Sequence, residues 1–287
     1  GATSGDTGGA AIEAFRGRDA VDVFILYPEG RVSDIQRMQM TTPTDANVHT
    51  LAVNGTFDDC QALVKAMFND SAFRQEVNLA GVNSINWARV MAQTTYYFTA
   101  AAQLGSPDTP VGFSVPTGNF GDIFAGYVAA QMGLPVARLM IATNVNDILA
   151  RVMQTGFYET EEVIATSSPS MDIQVSSNFE RLLFELTHRD APRVSGLMEA
   201  LARDGRFEMT EDEVALMTAL FDAARVDEVQ TQETMRDVLK RFDMQIDPHT
   251  AVGLAAARRA VLPDGVPIVT LATAHPAKFP IAVEAAF

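Results

Sequence analysis

Cysteine and lysine are scarce in this sequence of 287 residues. The single cysteine, Cys60, excludes an internal disulfide and fits a reducing compartment, so we expect a cytoplasmic protein. Cys60 also lies in an apolar helical pattern, which favours a core thiol over a nucleophile. Lysine stands at three positions only, Lys65, Lys240 and Lys278. Any reaction that needs a lysine amine therefore has few candidates in this chain.

Positive charge is scarce as well. The 21 Lys and Arg residues face 36 Asp and Glu residues, which gives a net charge of −15. A surface of that charge makes nucleic acid and anionic membranes poor partners. No uninterrupted apolar run reaches membrane length, and the N-terminus lacks the layout of a signal peptide. The hydrophobic content of 47% is enough for a sizeable core, in one large or two smaller domains.

Two glycine-rich turns, at residues 1–10 and 114–122, are the most informative features that are present. Before the second turn, an apolar run at residues 111–115 predicts a strand. After it, a segment of small residues at 123–132 predicts a helix. Unpaired backbone N–H groups and the helix dipole favour a phosphate where a strand, a glycine turn and a helix follow one another.

The second turn contains neither lysine nor arginine, so the neutral donors of a backbone nest would hold the anion. It also lacks the lysine of the nucleotide-binding P-loop, which argues against a nucleoside triphosphate. An ordinary connection between a strand and a helix is the alternative. The first turn begins at residue 1, which leaves no room for a preceding strand, so we expect the chain to be cut inside a domain.

Apolar runs alternate with helical patterns, which predicts an α/β fold with parallel sheets and helical crossovers. We predict a smaller, incomplete α/β lobe at residues 1–80 and a larger α/β lobe at residues 81–287 whose C-terminal segments are mostly helical. Ligands collect at the carboxyl ends of parallel strands, where Asn144 and Thr273 stand. The predicted strands are residues 21–27, 48–53, 111–115, 136–142 and 266–273, and the longer predicted helices are residues 59–68, 84–102, 177–186, 192–202, 211–224, 228–242 and 248–261.

Several ordered segments resemble the threonine synthases, which are pyridoxal-phosphate enzymes of fold type II. The two glycine turns carry the resemblance, with Ala2-Thr-Ser-Gly-Asp-Thr-Gly8 and Pro116-Thr-Gly-Asn-Phe-Gly-Asp122. Further blocks follow in family order, at residues 81–89, 168–173, 176–181, 247–253 and 271–279. The resemblance implies the two-lobed α/β fold of that type, with its N-terminal part missing here, and pyridoxal 5'-phosphate as the cofactor.

The resemblance also assigns cofactor contacts. It places the cofactor phosphate on the second turn, at Gly118, Asn119, Phe120, Gly121 and Asp122. Thr273 becomes the neutral hydroxyl partner of the pyridine nitrogen, and Asp6 orients the first turn or faces the ring oxygen of the cofactor. Because one ligand would explain three polar turns at strand ends, we expect both turns and Thr273 to approach one cleft.

Substrate contacts are implied at two places. Ser4, Gly5 and Thr7 would bind the amino-acid carboxylate through backbone N–H groups and hydroxyls, although this turn could be a simple helix cap. The other implied contacts open the predicted helix at residues 84–102, at Asn83, Ser84 and Arg89. Arg89 would bind phosphate or carboxylate with its planar fork, and a merely polar helix start is the alternative.

Neither a metal site nor a catalytic histidine is predicted. His49, His188 and His249 show no constellation of partners, and no metal-ligand spacing accompanies them. His275 is expected to be structural for the same reason.

The resemblance implies threonine synthase activity, a lyase reaction that turns O-phospho-L-homoserine and water into L-threonine and phosphate. It places the lysine that forms the Schiff base upstream of Gly1, so no catalytic residue is expected in this chain, and the chain alone is expected to be inactive. Two alternatives stay open. One is a related phospho-lyase acting on another amino-acid phosphate ester, and the other is a non-catalytic fragment that retains only an anion site.

Overall fold

The computed structural model describes residues 1–3 and 5–287, except for the side chain of Asp58. The chain has an α/β fold and divides into two compact units, Gly1–Asn86 and Trp87–Phe287. Each unit contains parallel β-sheet flanked by helices. Within the described residues, we find no helix whose length and apolar character would let it span a bilayer.

The first unit is built on two parallel strands, β1 (Val23–Pro28) and β2 (Val48–Val53). Ile12, Ile25 and Met40 are fully buried and join two helices to β1 in one small core. The helices of this unit are α1 (Asp6–Phe15), α2 (Asp34–Thr41), α3 (Phe57–Asn69) and α4 (Ser71–Glu76).

Polar side chains define where two of these helices begin. Ser33 and Gln36 form a reciprocal capping box at the start of α2, and Thr56 and Asp59 form another at the start of α3. Each box satisfies two backbone N–H groups that a helix start leaves without partners. Cys60 follows on α3 and is fully buried, which confirms the predicted core thiol.

The second unit centres on a parallel sheet. The strands of this unit are β3 (Val111–Pro116), β4 (Val136–Thr143), β5 (Phe157–Glu159), β6 (Arg206–Glu208), β7 (Phe221–Arg225) and β8 (Ile268–Thr270). The parallel sheet has the strand order β7, β4, β3, β8, whereas β5 and β6 form a separate antiparallel pair. β3 is an inner strand and is buried along its whole length, which explains its continuous apolar run.

Helices surround this sheet. They are α5 (Trp87–Gln103), α6 (Gly121–Gln131), α7 (Ile148–Thr155), α8 (Phe179–Leu186), α9 (Ala191–Asp204), α10 (Glu211–Leu220), α11 (Glu228–Phe242), α12 (Pro248–Ala257) and α13 (Pro280–Ala286). Aromatic rings fill part of the core. The ring of Phe120 lies 5.4 Å from that of Phe179 and 5.8 Å from that of Phe221, and Tyr158 stacks between Phe179 and Phe207.

The predicted helix at residues 211–224 is wrong in its last four residues. Helix α10 ends at Leu220, and the next five residues form strand β7. Phe221 pairs with Leu139 of β4, and its ring is 2% exposed. Pairing with an inner strand and burial of this ring outweigh the good helix propensity of the alanines that follow.

Candidate functional site

The turn between β3 and α6 contains consecutive backbone N–H groups that have no acceptor among the described residues. Phe120 is the N-cap residue of α6, with left-handed backbone angles of φ 63° and ψ 3°. Its carbonyl accepts the N–H of Phe124 at 3.0 Å, as a helix start requires. In the described part of the chain, no hydrogen bond to protein is made by the backbone N–H groups of Gly118, Asn119, Phe120 and Gly121. Such a turn can bind an anion.

Two side chains hold the carbonyl groups of this turn. Ser176 donates its hydroxyl to the carbonyl of Gly118 at 2.6 Å. The backbone N–H and the side-chain amide of Asn178 both donate to the carbonyl of Asn119, at 3.0 and 2.9 Å. In a trans peptide the C=O and N–H bonds point in opposite directions. Fixing these two carbonyls therefore directs the N–H groups of Asn119 and Phe120 away from the segment that holds them.

Gly118 must be glycine because another backbone segment lies directly against it. A Cβ atom at this position would lie 2.5 Å from the carbonyl oxygen of Ser170 and 3.3 Å from Cα of Met171. These are backbone atoms of a short 3-10 helix, Pro169–Met171, and they cannot rotate away as the end of a long side chain can. The close approach of two backbones shapes one wall of the turn.

A buried polar cluster fixes the segment that contains Ser170. The side-chain amide of Asn144, at the end of β4, donates to Thr166 at 2.9 Å and to Asp172 at 2.7 Å. Thr166 donates its hydroxyl to Asp172 at 2.7 Å. Burial raises the pKa of Asp172, although these hydrogen bonds oppose the shift. Asn144, which sequence placed at a strand end, thus anchors a loop.

The side chains of Phe120 and Asp122 point away from the anion-binding donors. The Phe120 ring is 1% exposed and belongs to the aromatic core, so only its backbone can take part in binding. The carboxyl group of Asp122 accepts the buried hydroxyl of Tyr97 at 3.2 Å. Burial raises the pKa of Asp122 to about 6, while the hydrogen bond from Tyr97 lowers it.

Thr273 comes after strand β8, which ends at the same edge of the sheet as the second turn. Only three residues of β8 pair with β3, so the strand ends at Thr270 and not at Thr273 as predicted. Because β3 and β8 run parallel, their carboxyl ends meet at one edge, beyond which both Gly118 and Thr273 stand. Thr273 itself is exposed.

The first glycine turn forms the start of α1. Gly5 is the N-cap residue, and its φ of 141° suits only glycine. A Cβ atom there would also collide with the side chain of Gln36. Thr3 is 2% exposed, and its hydroxyl oxygen accepts the N–H groups of Gly5 and Gly8 at 3.0 and 2.9 Å. Asp6 and Thr7 occupy the first turn of the helix, and Ser4 lies outside the described residues.

Asn83 and Ser84 precede α5, and Arg89 belongs to it. The side-chain oxygen of Asn83 accepts the N–H of Ile85 at 3.1 Å, which makes a local turn. Ser84 is half-buried. Arg89 lies in the first turn of α5, where burial lowers the pKa of its guanidinium group. A desolvated arginine at a helix start is suited to an anionic ligand.

Sequence reasoning missed the residues that shape the turns: Thr3, Ser170, Ser176 and Asn178. Each lies inside a segment that carries the family resemblance, but no local pattern links Ser170, Ser176 or Asn178 to its partner. The hydroxyl of Ser176, for example, acts on a residue 58 positions earlier. Among the described residues, no group of three or more potential metal ligands is placed to hold an ion.

Proteins of one enzyme family are similar to this chain over nearly its whole length. The sequence pattern of a family described as pyridoxal-phosphate dependent enzymes matches residues 1–274. Threonine synthase of Pseudomonas aeruginosa is 54% identical over 286 residues, which cover 100% of this chain and 61% of that protein. Threonine synthase of Saccharomyces cerevisiae is 47% identical and matches 99% of this chain and 59% of its own length.

A solved structure is similar as well. The crystal structure of threonine synthase from Brucella melitensis with bound pyridoxal phosphate superposes with a TM-score of 0.94 at 57% identity, and the match covers 99% of this chain and 61% of that one. The chain thus spans about 60% of the length of the relatives it matches. The chain belongs to the family of pyridoxal-phosphate dependent enzymes.

Proposed function

We propose that this chain serves in a threonine synthase, a pyridoxal-phosphate dependent lyase that converts O-phospho-L-homoserine and water into L-threonine and phosphate. The observation that carries the proposal is the nest at Gly118, Asn119, Phe120 and Gly121, whose N–H groups meet no protein acceptor among the described residues. Identities of 54% and 57% to threonine synthases support this reaction over others in the family.

The donors of the nest fit the phosphate of the cofactor. A phosphate group carries three acceptor oxygens, and converging backbone N–H groups at the start of α6 can serve them without a cation. The bound cofactor would supply an electron sink for substrate deprotonation. Ser176 and Asn178 keep the donors aimed, and Gly118 keeps the wall free of a side chain. We propose that the exposed hydroxyl of Thr273 partners the pyridine nitrogen, and that Asp6 orients the first turn.

We propose that residues of the first turn and residues near the start of α5 bind the substrate. Ser4 and Thr7 would bind the carboxylate of the amino acid, because backbone N–H groups and hydroxyls at a helix start suit an anion. Gly5 would contribute to this contact through the shape it gives the turn, since its own N–H donates to the hydroxyl of Thr3. Asn83, Ser84 and Arg89 would bind the polar groups of the substrate. The guanidinium group of Arg89 would contribute the charge, since burial already separates it from bulk water.

None of the three lysines is proposed as the amine that this chemistry needs. Lys65 on α3 and Lys240 on α11 are exposed. Lys278 lies in a short 3-10 helix, Pro276–Lys278, which is capped by His275. We propose that the 287-residue chain alone is therefore inactive. We also propose a cytoplasmic location, because the only thiol belongs to buried Cys60.

A panel of phosphate esters tests the proposed activity. The protein isolated from its source is incubated with O-phospho-L-homoserine, O-phospho-L-serine and O-phospho-L-threonine, and released phosphate and L-threonine are measured. We expect threonine and phosphate in equal amounts from the first ester only. Phosphate released from another ester without threonine would favour the related phospho-lyase. No product from any ester would favour the non-catalytic anion site. The 287-residue chain is the matched control, and it should release no phosphate.

Ser176→Ala should weaken cofactor binding. The change leaves the carbonyl of Gly118 without its 2.6 Å donor, in a part-buried position where a lost partner costs about 1–3 kcal/mol. The affinity for pyridoxal phosphate should fall about tenfold. Isothermal titration calorimetry measures the change. Ser177→Ala is the neighbouring control, because that hydroxyl donates to the side-chain oxygen of Asn119 and not to a backbone carbonyl of the turn. Equal affinities of the two variants would contradict the role of Ser176.

A further inference from the structure

The buried ring of His249 has a protein partner at each nitrogen. His249 is the second residue of α12 and is 2% exposed. Its Nδ1 atom lies 2.9 Å from a carboxylate oxygen of Asp247, and its Nε2 atom accepts the backbone N–H of Ser170 at 3.3 Å. The expectation that His249 lacks a constellation is therefore wrong. One partner is two residues away, and the other is 79 positions away.

These partners define the tautomer of the ring. A backbone N–H can only donate, so Nε2 must be the unprotonated acceptor, and Nδ1 then carries the hydrogen that it donates to Asp247.

Asp247 is itself held in place at the start of α12. It accepts the backbone N–H groups of His249 and Thr250, and the hydroxyl of Thr250. Burial alone would raise the pKa of Asp247, but the hydrogen bonds from His249 and Thr250 outweigh it and lower the pKa. The ionised carboxylate of Asp247 thus fixes the ring of His249 at the start of α12.

Ser170 contacts both His249 and the glycine turn before α6. Its N–H is held by His249, and its carbonyl oxygen is the atom that a Cβ on Gly118 would approach to 2.5 Å. The same peptide segment therefore touches the helix on one side and the backbone of the nest on the other. Losing the hydrogen bond at Nε2 would free Ser170 to move, and the wall against Gly118 would move with it.

We propose that His249 is a positioning residue for the anion site. By accepting the N–H of Ser170, it holds the Pro169–Met171 segment against Gly118 and keeps the nest in the shape that binds phosphate. That this phosphate belongs to pyridoxal phosphate rests on the proposed function. The contact between His249 and Ser170 does not rest on it.

Two substitutions separate the two nitrogens. His249→Gln keeps an acceptor oxygen near the position of Nε2, whereas His249→Asn keeps a donor near Nδ1 and has no atom near Nε2. Both variants keep a buried polar group on α12, and thermal unfolding checks that both are folded at the assay temperature. A purely structural role would affect them similarly.

The readouts are the affinity of the isolated protein for pyridoxal phosphate and the hydrogen exchange of the Ser170 amide. We expect His249→Gln to bind within about threefold of the wild type, and His249→Asn to bind about tenfold more weakly, since a buried donor loses its partner. The Ser170 amide should exchange slowly in the wild type and in His249→Gln, and faster in His249→Asn.

Several results would overturn the proposal. Wild-type affinity in His249→Asn would show that the acceptor is not needed, and equal loss in both variants would show that Nε2 is not the relevant atom. If the wild type itself fails to bind pyridoxal phosphate, the proposed function fails. The exchange rate of the Ser170 amide still decides the His249 contact in that case, because an unchanged rate in His249→Asn contradicts it.

Discussion

Gly118→Ala is expected to weaken pyridoxal-phosphate binding by about 100-fold, because one or two misaligned hydrogen bonds to a charged phosphate, at about 1.5–3 kcal/mol each, cost that much. The added methyl group would stand 2.5 Å from the carbonyl oxygen of Ser170, so one of the two backbones must move. Movement of the turn tilts the N–H groups of Asn119 and Phe120 away from the phosphate. Crowding should also lower the free energy of unfolding by about 1–3 kcal/mol. Calorimetric titration and urea unfolding measure the two effects.

Gly196→Ala is the matched control for this substitution. Gly196 lies inside α9, and a Cβ atom there would meet nothing within 4 Å. The same chemical change should leave cofactor affinity unaltered and raise the free energy of unfolding by about 0.5–1 kcal/mol, because alanine is the better helix former. Wild-type affinity in Gly118→Ala would show that this turn is not the anion site.

Phe120→Ala should cause the largest loss of stability. The Phe120 ring is 1% exposed and packs edge-on against Phe179 at 5.4 Å. Removing a buried phenylalanine ring costs about 3–5 kcal/mol of unfolding free energy, since the cavity left behind cannot fully collapse. Phe120 is also the N-cap residue of α6, so the cavity opens directly beneath the anion-binding donors. Urea unfolding followed by circular dichroism measures the loss.

The control for Phe120→Ala is a phenylalanine at the surface. Phe242 ends α11 and is 61% exposed, so Phe242→Ala should change the unfolding free energy by no more than about 0.5 kcal/mol. If both variants unfold at the same urea concentration, Phe120 does not belong to the core of the folded protein.

The sequence predicted elements whose signals are local. Strand β2 and helix α11 have the bounds that their patterns indicate. In α11, Asp227 and Gln230 form a capping box at the start, and Asp243 adopts a left-handed conformation after the end. The sequence also predicted the order of strand, glycine turn and helix around Gly118, because each part depends on residues within a few positions.

Strand β7 shows where local signals fail. The segment Phe221–Arg225 contains good helix formers, and only the presence of β4 beside it makes the extended conformation favourable. His249 is a second example, since its partner Ser170 is brought to it by the packing of distant segments.

By itself, the sequence determined the α/β fold, the family and the position of the glycine turn before α6, since these follow from periodicity, glycine placement and ordered motifs. The tertiary structure alone decided how the turn is held. Ser176 and Asn178 reach carbonyl groups 58 and 59 positions away, and His249 acts on Ser170 across 79 positions. The physical reason is that a hydrogen bond depends on distance and direction in space, and chain folding brings together partners that no local spacing relates.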